Sequence, residues 1–208
     1  MTTQSGESLP PSFFERIYAE APDPWSFATS AYEHEKYSIT IAELPRERYG
    51  NGLEIGCSIG VLTARLADRC DRLLSIDVAE RALEQARARC AQLRNVRFER
   101  LQVPRAFPDE RFDLVVVSEV GYYWSHDDLR RARDLIVDHL EPGGHLMLVH
   151  LTNEVEEYPI LGDEVHEAFF ERVDAHAGAG DGGSLRHLRG RRERRGAFAY
   201  RLDLFERR

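Results

Sequence analysis

The stretch that most constrains this chain is residues 53–60, Leu-Glu-Ile-Gly-Cys-Ser-Ile-Gly. A short apolar strand runs there into a turn of small residues, and the spacing of Val61, Leu62 and Leu66 then predicts an amphipathic helix. Because glycine has no Cβ, such a strand-to-helix turn lets a ligand approach backbone N–H groups.

A second apolar strand, residues 73–77, ends on the carboxylate of Asp77. Ligands of open α/β sheets bind beyond the carboxyl ends of the strands, so the glycine turn and Asp77 are expected to face one crevice. A carboxylate at this place can accept hydrogen bonds from both hydroxyls of an adenosine ribose. The turn lacks the glycines that a dinucleotide fingerprint needs at positions 58 and 61, and no Gly-Lys-Ser/Thr ending of a P-loop follows.

From Gly50 onwards, strand and helix patterns alternate, which is typical of a parallel sheet with crossover helices. The β-branched run at 112–118 suits a strand covered on both faces. Helices are expected at about 30–44, 60–69 and 79–92, after Ser125 as N-cap, and through Val165, Phe169 and Val173. Further strands are expected at 95–101, at 146–149 after a turn at 140–145, and at 185–192 and 198–206, with a mobile stretch at 177–183.

Composition narrows the class of protein. The 208 residues suit one domain, and a formal net charge of -8 argues against general affinity for nucleic acid or anionic membranes. No apolar run reaches membrane-spanning length, residues 1–11 lack a signal-peptide core, and three cysteines without metal spacing favour a reduced, cytoplasmic setting. The arginines at 191–195 fit either a contact with RNA or an acidic substrate, or a solvated hairpin.

The pattern Glu54-x-Gly56-x-Ser58-x-Gly60, with Asp77 closing the next strand, resembles the class I S-adenosylmethionine-dependent methyltransferases. The opening of the chain sharpens this resemblance. Its motifs Phe14-x-x-x-Tyr18, Asp23-Pro24-Trp25 and Tyr32-Glu33-x-x-Lys36-Tyr37 are similar to the nodulation protein S family, whose members N-methylate a deacetylated chitooligosaccharide.

The resemblance implies an α/β fold with a Rossmann-like seven-stranded sheet, mostly parallel with a C-terminal antiparallel hairpin, and with helices on both faces. It also implies a single methyltransferase domain over 1–208, in which 1–45 form an N-terminal helical cap and 50–208 the core, with a substrate-side insertion at 152–184. The N-terminal segment either folds over the cofactor and acceptor or is a pair of helices packed on the domain edge.

S-adenosylmethionine is the implied cofactor, S-adenosylhomocysteine the product, and no metal is expected. The candidate cofactor-binding residues are Tyr18, Trp25, Glu54, Gly56, Cys57, Ser58, Gly60, Asp77, Val78, Gln102, Val103, Ser118 and Glu119. Relatives often carry an Asp that receives the adenine amino group where this chain has Gln102. Its amide oxygen can still accept that hydrogen bond, and the Val103 N–H can donate to a ring nitrogen.

Methyl transfer is an in-line displacement, so the enzyme mainly aligns nucleophile, methyl and sulfur and removes a proton where needed. The catalytic candidates are Glu119, Tyr122 and His150. The candidate substrate-binding residues are Glu33, Tyr37, Tyr122 and Tyr123. Alternatively, Glu119 is paired within the protein, the tyrosines are core aromatics, and His150 is a satisfied core histidine.

The expected function is methyl transfer to a small-molecule acceptor, at a nitrogen such as that of an amino sugar. O-methylation of a small metabolite and a non-catalytic S-adenosylmethionine-binding scaffold are the alternatives. The sequence at 118–121, Ser-Glu-Val-Gly, lacks the Asp/Asn-Pro-Pro-Tyr motif of methyltransferases that act on planar nitrogens. We expect no nucleic-acid or membrane partner, and a monomer or homodimer.

Overall fold

The structure is a computed structural model that describes residues 6–173 and 184–208. These residues form two compact units, Pro10–Phe107 and a second unit that joins the chain before Pro10 to Pro108–Arg208. A single domain over 1–208 stays a prediction. The predicted mobile stretch at 177–183 lies outside the described residues.

The unit Pro10–Phe107 begins with two helices and continues as alternating strands and helices. Ser30 caps the second helix by accepting a hydrogen bond from the Glu33 N–H, as its residue type favours. The elements are α1 (Pro11–Glu20), α2 (Ala31–Ala42), β1 (Tyr49–Ile55), α3 (Val61–Leu66), β2 (Cys70–Asp77), α4 (Glu80–Arg89) and β3 (Val96–Arg100). Strands β1 and β2 pair in parallel, as do β2 and β3, which confirms the predicted strands and crossover helices.

The other unit carries the C-terminal strands. Its elements are β4 (Phe112–Ser118), α5 (His126–His139), β5 (Leu140–Leu151), α6 (Gly162–Phe170), β6 (Leu185–Arg195) and β7 (Phe198–Arg207). Strand β4 pairs with β5 in parallel, whereas β7 pairs antiparallel with both β5 and β6. Val115, Val116 and Val117 are fully buried, as the β-branched run of β4 predicts.

Across the seven-stranded sheet, the strand order is β3-β2-β1-β4-β5-β7-β6. The mostly parallel sheet with an antiparallel C-terminal hairpin confirms the predicted fold class. Among the described residues, no helix is both long and apolar enough to span a bilayer.

Two predicted boundaries were wrong. The turn expected at 140–145 lies within β5, where Leu140 pairs with Phe112 and His145 pairs with Leu114, so the register with β4 shifts between these two pairs. In α6, Val165 and Phe169 are buried as expected, but the helix ends at Phe170, and Val173 forms an isolated bridge to Leu185 instead.

Candidate functional site

The glycine turn after β1 has the backbone geometry that its sequence predicts. Gly56 and Gly60 adopt φ values of 83° and 79°, in the left-handed region that glycine enters without steric cost. The N–H groups of Gly56 and Cys57 both donate to the carbonyl of Ile76, which ties the turn to β2. A Cβ on Gly60 would lie 3.0 Å from the Cα of Ala86, so α3 and α4 approach too closely for any side chain there.

Asp77 connects the end of β2 to this turn. Its Oδ2 accepts a hydrogen bond from the Ser58 N–H at 2.9 Å, and its Oδ1 accepts one from the Ala79 N–H at 2.9 Å. Burial raises the pKa of Asp77, while backbone N–H groups that include those of Ala79 and Ser58 act in the opposite direction. The residue remains partly exposed, and a carboxylate offers about four acceptor positions, so hydroxyl donors can still reach it.

Glu54 lies behind the turn and is 1% exposed. Its Oε2 accepts hydrogen bonds from the hydroxyls of Thr63 at 2.6 Å and Ser75 at 2.7 Å. Burial raises the pKa of Glu54 to about 7, although both hydroxyl bonds favour the charged form. Neighbouring Cys57 is also buried, and its thiol pKa is raised, first by burial and then by the charge of Asp77. Cys57 is therefore a small, protonated side chain within the turn.

Helix α1 lies against the same turn. The Tyr18 hydroxyl is hydrogen-bonded to the Ser58 hydroxyl at 2.5 Å, and the Tyr18 ring meets Trp25 edge-on at 5.6 Å. Glu15 accepts a hydrogen bond from the Glu80 N–H at 2.8 Å, which anchors α1 to the start of α4. These contacts place the predicted residues Tyr18 and Trp25 beside the glycine turn.

The loop after β3 reaches the end of β2. The Leu101 N–H donates to the carbonyl of Asp77 at 3.1 Å, so Gln102 and Val103 follow directly from this contact. Gln102 is half-buried and Val103 is buried, while the carbonyl of Val78 accepts a hydrogen bond from Arg100 at 3.0 Å. All the cofactor-binding candidates between Tyr18 and Val103 therefore belong to one compact unit.

Glu33 and Tyr37, predicted to bind substrate, are buried on α2. Glu33 pairs with the Lys36 ammonium at 3.0 Å, and the Arg65 guanidinium lies 5.7 Å from the centre of the Tyr37 ring. Because Lys36 compensates its charge, Glu33 is disfavoured as the source of net negative charge for a cationic acceptor. A substrate contact by either residue stays a prediction.

In the other unit, β4 ends at the buried Ser118, and Glu119 follows with a φ of 57°. This left-handed conformation is uncommon for a residue with a side chain. The Glu119 Oε2 accepts hydrogen bonds from the Tyr122 hydroxyl at 2.6 Å and the Leu151 N–H at 2.9 Å. The carboxylate is thus fixed from two sides at the ends of β4 and β5.

Tyr122, which bonds this carboxylate, packs in a cluster of three tyrosines. Tyr122 stacks on Tyr158 with ring centres 4.7 Å apart, and Tyr123 meets both rings edge-on at 4.7 and 4.9 Å. Burial, followed by the charge of Glu119, raises the pKa of Tyr122, so its hydroxyl remains a donor. The packing agrees with the interpretation of Tyr122 and Tyr123 as core aromatics, while the hydroxyl of Tyr122 holds Glu119.

His150 is fully buried, and both of its ring nitrogens are engaged. Nε2 accepts a hydrogen bond from the Gly121 N–H at 3.1 Å, and Nδ1 lies 3.1 Å from Nε2 of His166. This geometry disfavours His150 as a catalytic base, because the lone pair that would take a proton already accepts one hydrogen bond. Within residues 6–173 and 184–208, no group of three or more His, Cys, Asp or Glu side chains could hold a metal ion.

The arginine-rich hairpin is paired with carboxylates of the same unit. Arg191 and Arg195 both contact Glu193, at 2.6 and 3.1 Å, and Arg192 contacts Asp163 at 2.7 Å. These pairs support the interpretation of the hairpin as a solvated surface rather than a site for RNA or an acidic substrate.

A sequence profile of the family described as Nodulation protein S (NodS) matches residues 14–160, which is more than half of the chain. The chain belongs to the nodulation protein S family. The matched residues include the glycine turn, Asp77 and Glu119, which are the positions whose geometry is described above.

Two members of this family show how far the likeness extends. The chain is 33% identical to Nodulation protein S of Rhizobium tropici over 129 residues, which are 61% of this chain and 54% of that protein. It is 35% identical to Nodulation protein S of Sinorhizobium fredii over 129 residues, which are 61% of this chain and 60% of that protein. The matched stretch thus spans slightly more than half the length of these relatives.

The fold is also similar to a solved structure of the family. The N-methyltransferase NodS from Bradyrhizobium japonicum WM9, in complex with S-adenosyl-L-homocysteine, superposes with a TM-score of 0.80 at 27% sequence identity. The likeness covers 94% of this chain and 97% of that chain.

Sequence reasoning missed three residues that the structure connects to the predicted candidates: Tyr158, His166 and Asp203. Tyr158 lies in the segment predicted as an insertion, where nothing in the sequence indicated a contact with Tyr122. His166 follows the buried Val165, so the apolar spacing of α6 could have placed it near the core. Asp203 alternates with buried Leu202 and Leu204, and no pattern marked it.

Proposed function

We propose that this chain transfers a methyl group from S-adenosylmethionine to a nitrogen of a small-molecule acceptor and releases S-adenosylhomocysteine. The proposal rests on the membership of this chain in the nodulation protein S family. It is supported by the similarity of the fold to an N-methyltransferase complexed with S-adenosyl-L-homocysteine. Because that relative is an N-methyltransferase, we favour nitrogen over oxygen as the acceptor atom.

The residues around the glycine turn fit the proposed cofactor. Asp77 presents a partly exposed carboxylate held by two backbone N–H groups, which suits the two hydroxyls of a ribose. Gly56 and Gly60, both at positive φ, place no Cβ on the turn at these two positions. When bound, S-adenosylmethionine supplies a methyl group that the sulfonium already activates. The chain itself then has to bind, orient and exclude water.

On the acceptor side, we assign Glu119 the role of holding an amine. Its Oε2 is fixed by Tyr122 and Leu151, so the carboxylate keeps one orientation and can attract an ammonium or accept its proton. Because only the neutral amine is nucleophilic, the rate with an amine acceptor should rise with pH. Loss of the Glu119 charge should raise KM for a cationic acceptor more than for a neutral analogue.

The setting proposed for this reaction is cytoplasmic, and the protein is proposed to act as a monomer or homodimer without nucleic acid. Cys57, Cys70 and Cys90 are free thiols in buried positions, which supports a reducing compartment. The paired arginines of the C-terminal hairpin support a small-molecule acceptor rather than RNA.

The experiment is transfer of labelled methyl from S-adenosylmethionine to a chitooligosaccharide that carries one free amine, with the fully N-acetylated oligosaccharide as control. Transfer to nitrogen predicts label only in the oligosaccharide that carries the free amine. O-methylation predicts label in both oligosaccharides. A protein that binds the cofactor but labels neither of these nor a panel of other small amines and alcohols is the non-catalytic alternative.

Asp77→Ala tests the cofactor side of the proposal. Each charge-assisted ribose bond contributes roughly 1.5–3 kcal/mol, so affinity for S-adenosylhomocysteine should fall about tenfold or more. The matched control is Asp71→Ala on the same strand, where the carboxylate is exposed and pairs with Arg48. Calorimetry that gives both folded variants the same affinity would remove Asp77 from the site.

A further inference from the structure

A line of buried hydrogen bonds runs from the turn after β4 to the last strand. The Gly121 N–H donates to Nε2 of His150 at 3.1 Å, and Nδ1 of His150 lies 3.1 Å from Nε2 of His166. Nδ1 of His166 then lies 2.7 Å from Oδ2 of Asp203. His150 and His166 are fully buried and Asp203 is 2% exposed. These residues link β4, β5, α6 and β7.

One unambiguous donor identifies the direction of every bond in this line. A backbone N–H can only donate, so Nε2 of His150 carries no proton and its proton sits on Nδ1. That N–H must donate to Nε2 of His166, whose own proton then sits on Nδ1 and is donated to Asp203. Both imidazoles are neutral and hold the same tautomer.

The turn that receives this line is tightly packed. A Cβ on Gly121 would lie 2.5 Å from Cγ1 of Val165 and 3.0 Å from Nε2 of His150, so the backbone itself rests against α6. The same turn holds Glu119 in its left-handed conformation and carries Tyr122, which bonds the Glu119 carboxylate. Fixing the Gly121 amide therefore fixes the backbone that presents Glu119.

We propose that His166 and Asp203 are positioning residues, which set the tautomer of His150 and thereby hold the Gly121 amide and the turn that carries Glu119. The inference rests on the proposed function only in the role given to Glu119. His166 and Asp203 lie beyond residues 14–160, the part of the chain that matches the family.

The charged and titratable groups around this line keep Asp203 ionised and His166 neutral. Although burial raises the pKa of Asp203, its hydrogen bond and charge interactions with His166 and the charge of Arg201 lower it overall. Burial lowers the pKa of His166 despite the opposing carboxylate. Arg201 and His187 contact Asp203, and Asp163 and Glu167 contact Arg201 in turn. The Tyr122 ring lies beside His150.

The geometry at Asp203 provides a matched pair of variants. Its Oδ2 accepts from both His166 and the Nε of Arg201, whereas Oδ1 faces only Nε2 of His187 among the bonds described. In Asp203→Asn, the amide oxygen can take the place of Oδ2 and the NH2 group can donate to His187. Asp203→Leu removes the acceptor altogether, and His166 loses the partner of its Nδ1 proton.

The primary readout is 15N NMR of the histidine side chains, combined with hydrogen exchange at the Gly121 amide. In the wild type, Nδ1 should be protonated and Nε2 unprotonated in both His150 and His166. Asp203→Asn should keep these tautomers, whereas Asp203→Leu should lose them and speed Gly121 exchange about tenfold, as expected for one lost hydrogen bond. His187→Ala, which touches only the other carboxylate oxygen, should leave both readouts unchanged.

A second pair of variants covers the case in which Asp203→Leu does not fold. His150→Gln can place an amide oxygen near the former Nε2 and still accept from Gly121, whereas His150→Asn reaches only towards His166. Gly121 protection should persist in the Gln variant and fall in the Asn variant. Equal exchange in the two, or wild-type protonation on Nε2, would overturn the proposal.

Titration with S-adenosylhomocysteine keeps this test separate from the proposed function. If the wild type binds S-adenosylhomocysteine but the Gly121 amide is indifferent to both variant pairs, the positioning role fails and the cofactor side of the proposed function stands. If the tautomers respond as described but the wild type does not bind, the function fails and the positioning of the turn stands.

Discussion

Substituting Glu54→Gln tests whether burial controls the ionisation of the carboxylate behind the glycine turn. Burial raises the Glu54 pKa from 4.5 to about 7. At about 1.4 kcal/mol per pKa unit, this shift corresponds to about 3 kcal/mol. Because the pKa of Glu54 is higher in the folded protein than in the unfolded one, the folded protein binds this proton more tightly. The resulting contribution to the free energy of unfolding is fully present below pH 4.5 and is lost as the pH rises through 7.

The Gln side chain reproduces the protonated state at every pH. Thr63 and Ser75 both donate to one oxygen of Glu54, so an amide oxygen can accept both hydrogen bonds. The difference in unfolding free energy between wild type and variant should therefore move by about 2–3 kcal/mol against the wild type between about pH 5 and pH 8.

Urea denaturation curves at both pH values measure this difference, provided that the m-values agree. Taking the difference cancels the contribution of every titrating group that the two proteins share. Glu99→Gln, at a partly exposed carboxylate of β3 that pairs with Arg97, is the control, and its loss should change the free energy of unfolding by less than about 1 kcal/mol at either pH. A wild-type minus Glu54→Gln difference that stays constant between the two pH values would refute a buried carboxylate with a raised pKa.

Three further predictions concern the turn and α1. Gly60→Ala should lower the free energy of unfolding by about 2–4 kcal/mol, because it combines left-handed backbone strain with a close contact to Ala86. Gly196→Ala is the control: its φ is also positive but its Cβ would enter open space, so it should cost only about 1–2 kcal/mol. Urea denaturation measures both. S-adenosylhomocysteine should slow hydrogen exchange in residues 12–37, and unchanged exchange would argue against closure of this segment over the cofactor. Tyr18→Phe should weaken that slowing without unfolding the protein, because only the hydroxyl bond to the turn is lost.

Much of the geometry around the glycine turn was predictable because its determinants are local in sequence. The glycine spacing indicated a turn with positive φ, and the apolar run before Asp77 indicated a parallel strand whose end reaches that turn. The hydrogen bond from the Ser58 N–H to Asp77 is consistent with this placement, because β1 and β2 are parallel neighbours whose carboxyl ends lie at the same edge of the sheet.

The surroundings of Glu119 were less predictable, because they depend on packing between distant segments. His150, His166 and Asp203 meet only after α6 lies against β5 and β7, and no periodicity specifies which buried histidine faces which partner. The extent of β5 was hidden by Pro142 and Gly143, which ordinarily mark a turn: Gly143 adopts a φ of 74°, and the strand accommodates these residues as an irregularity in its register with β4.

Binding of S-adenosylmethionine, the proposed methyl donor, is tested most directly by thermal unfolding of the protein. S-adenosylmethionine, S-adenosylhomocysteine and NAD are added separately, and Tm is measured with each. A ligand that binds only the folded form raises Tm, and at one hundred times its Kd it adds about 2.7 kcal/mol to the free energy of unfolding. Both S-adenosylmethionine and S-adenosylhomocysteine should raise Tm, and NAD should not. Equal or greater stabilisation by NAD, or no response to either S-adenosyl compound, would contradict the proposed binding.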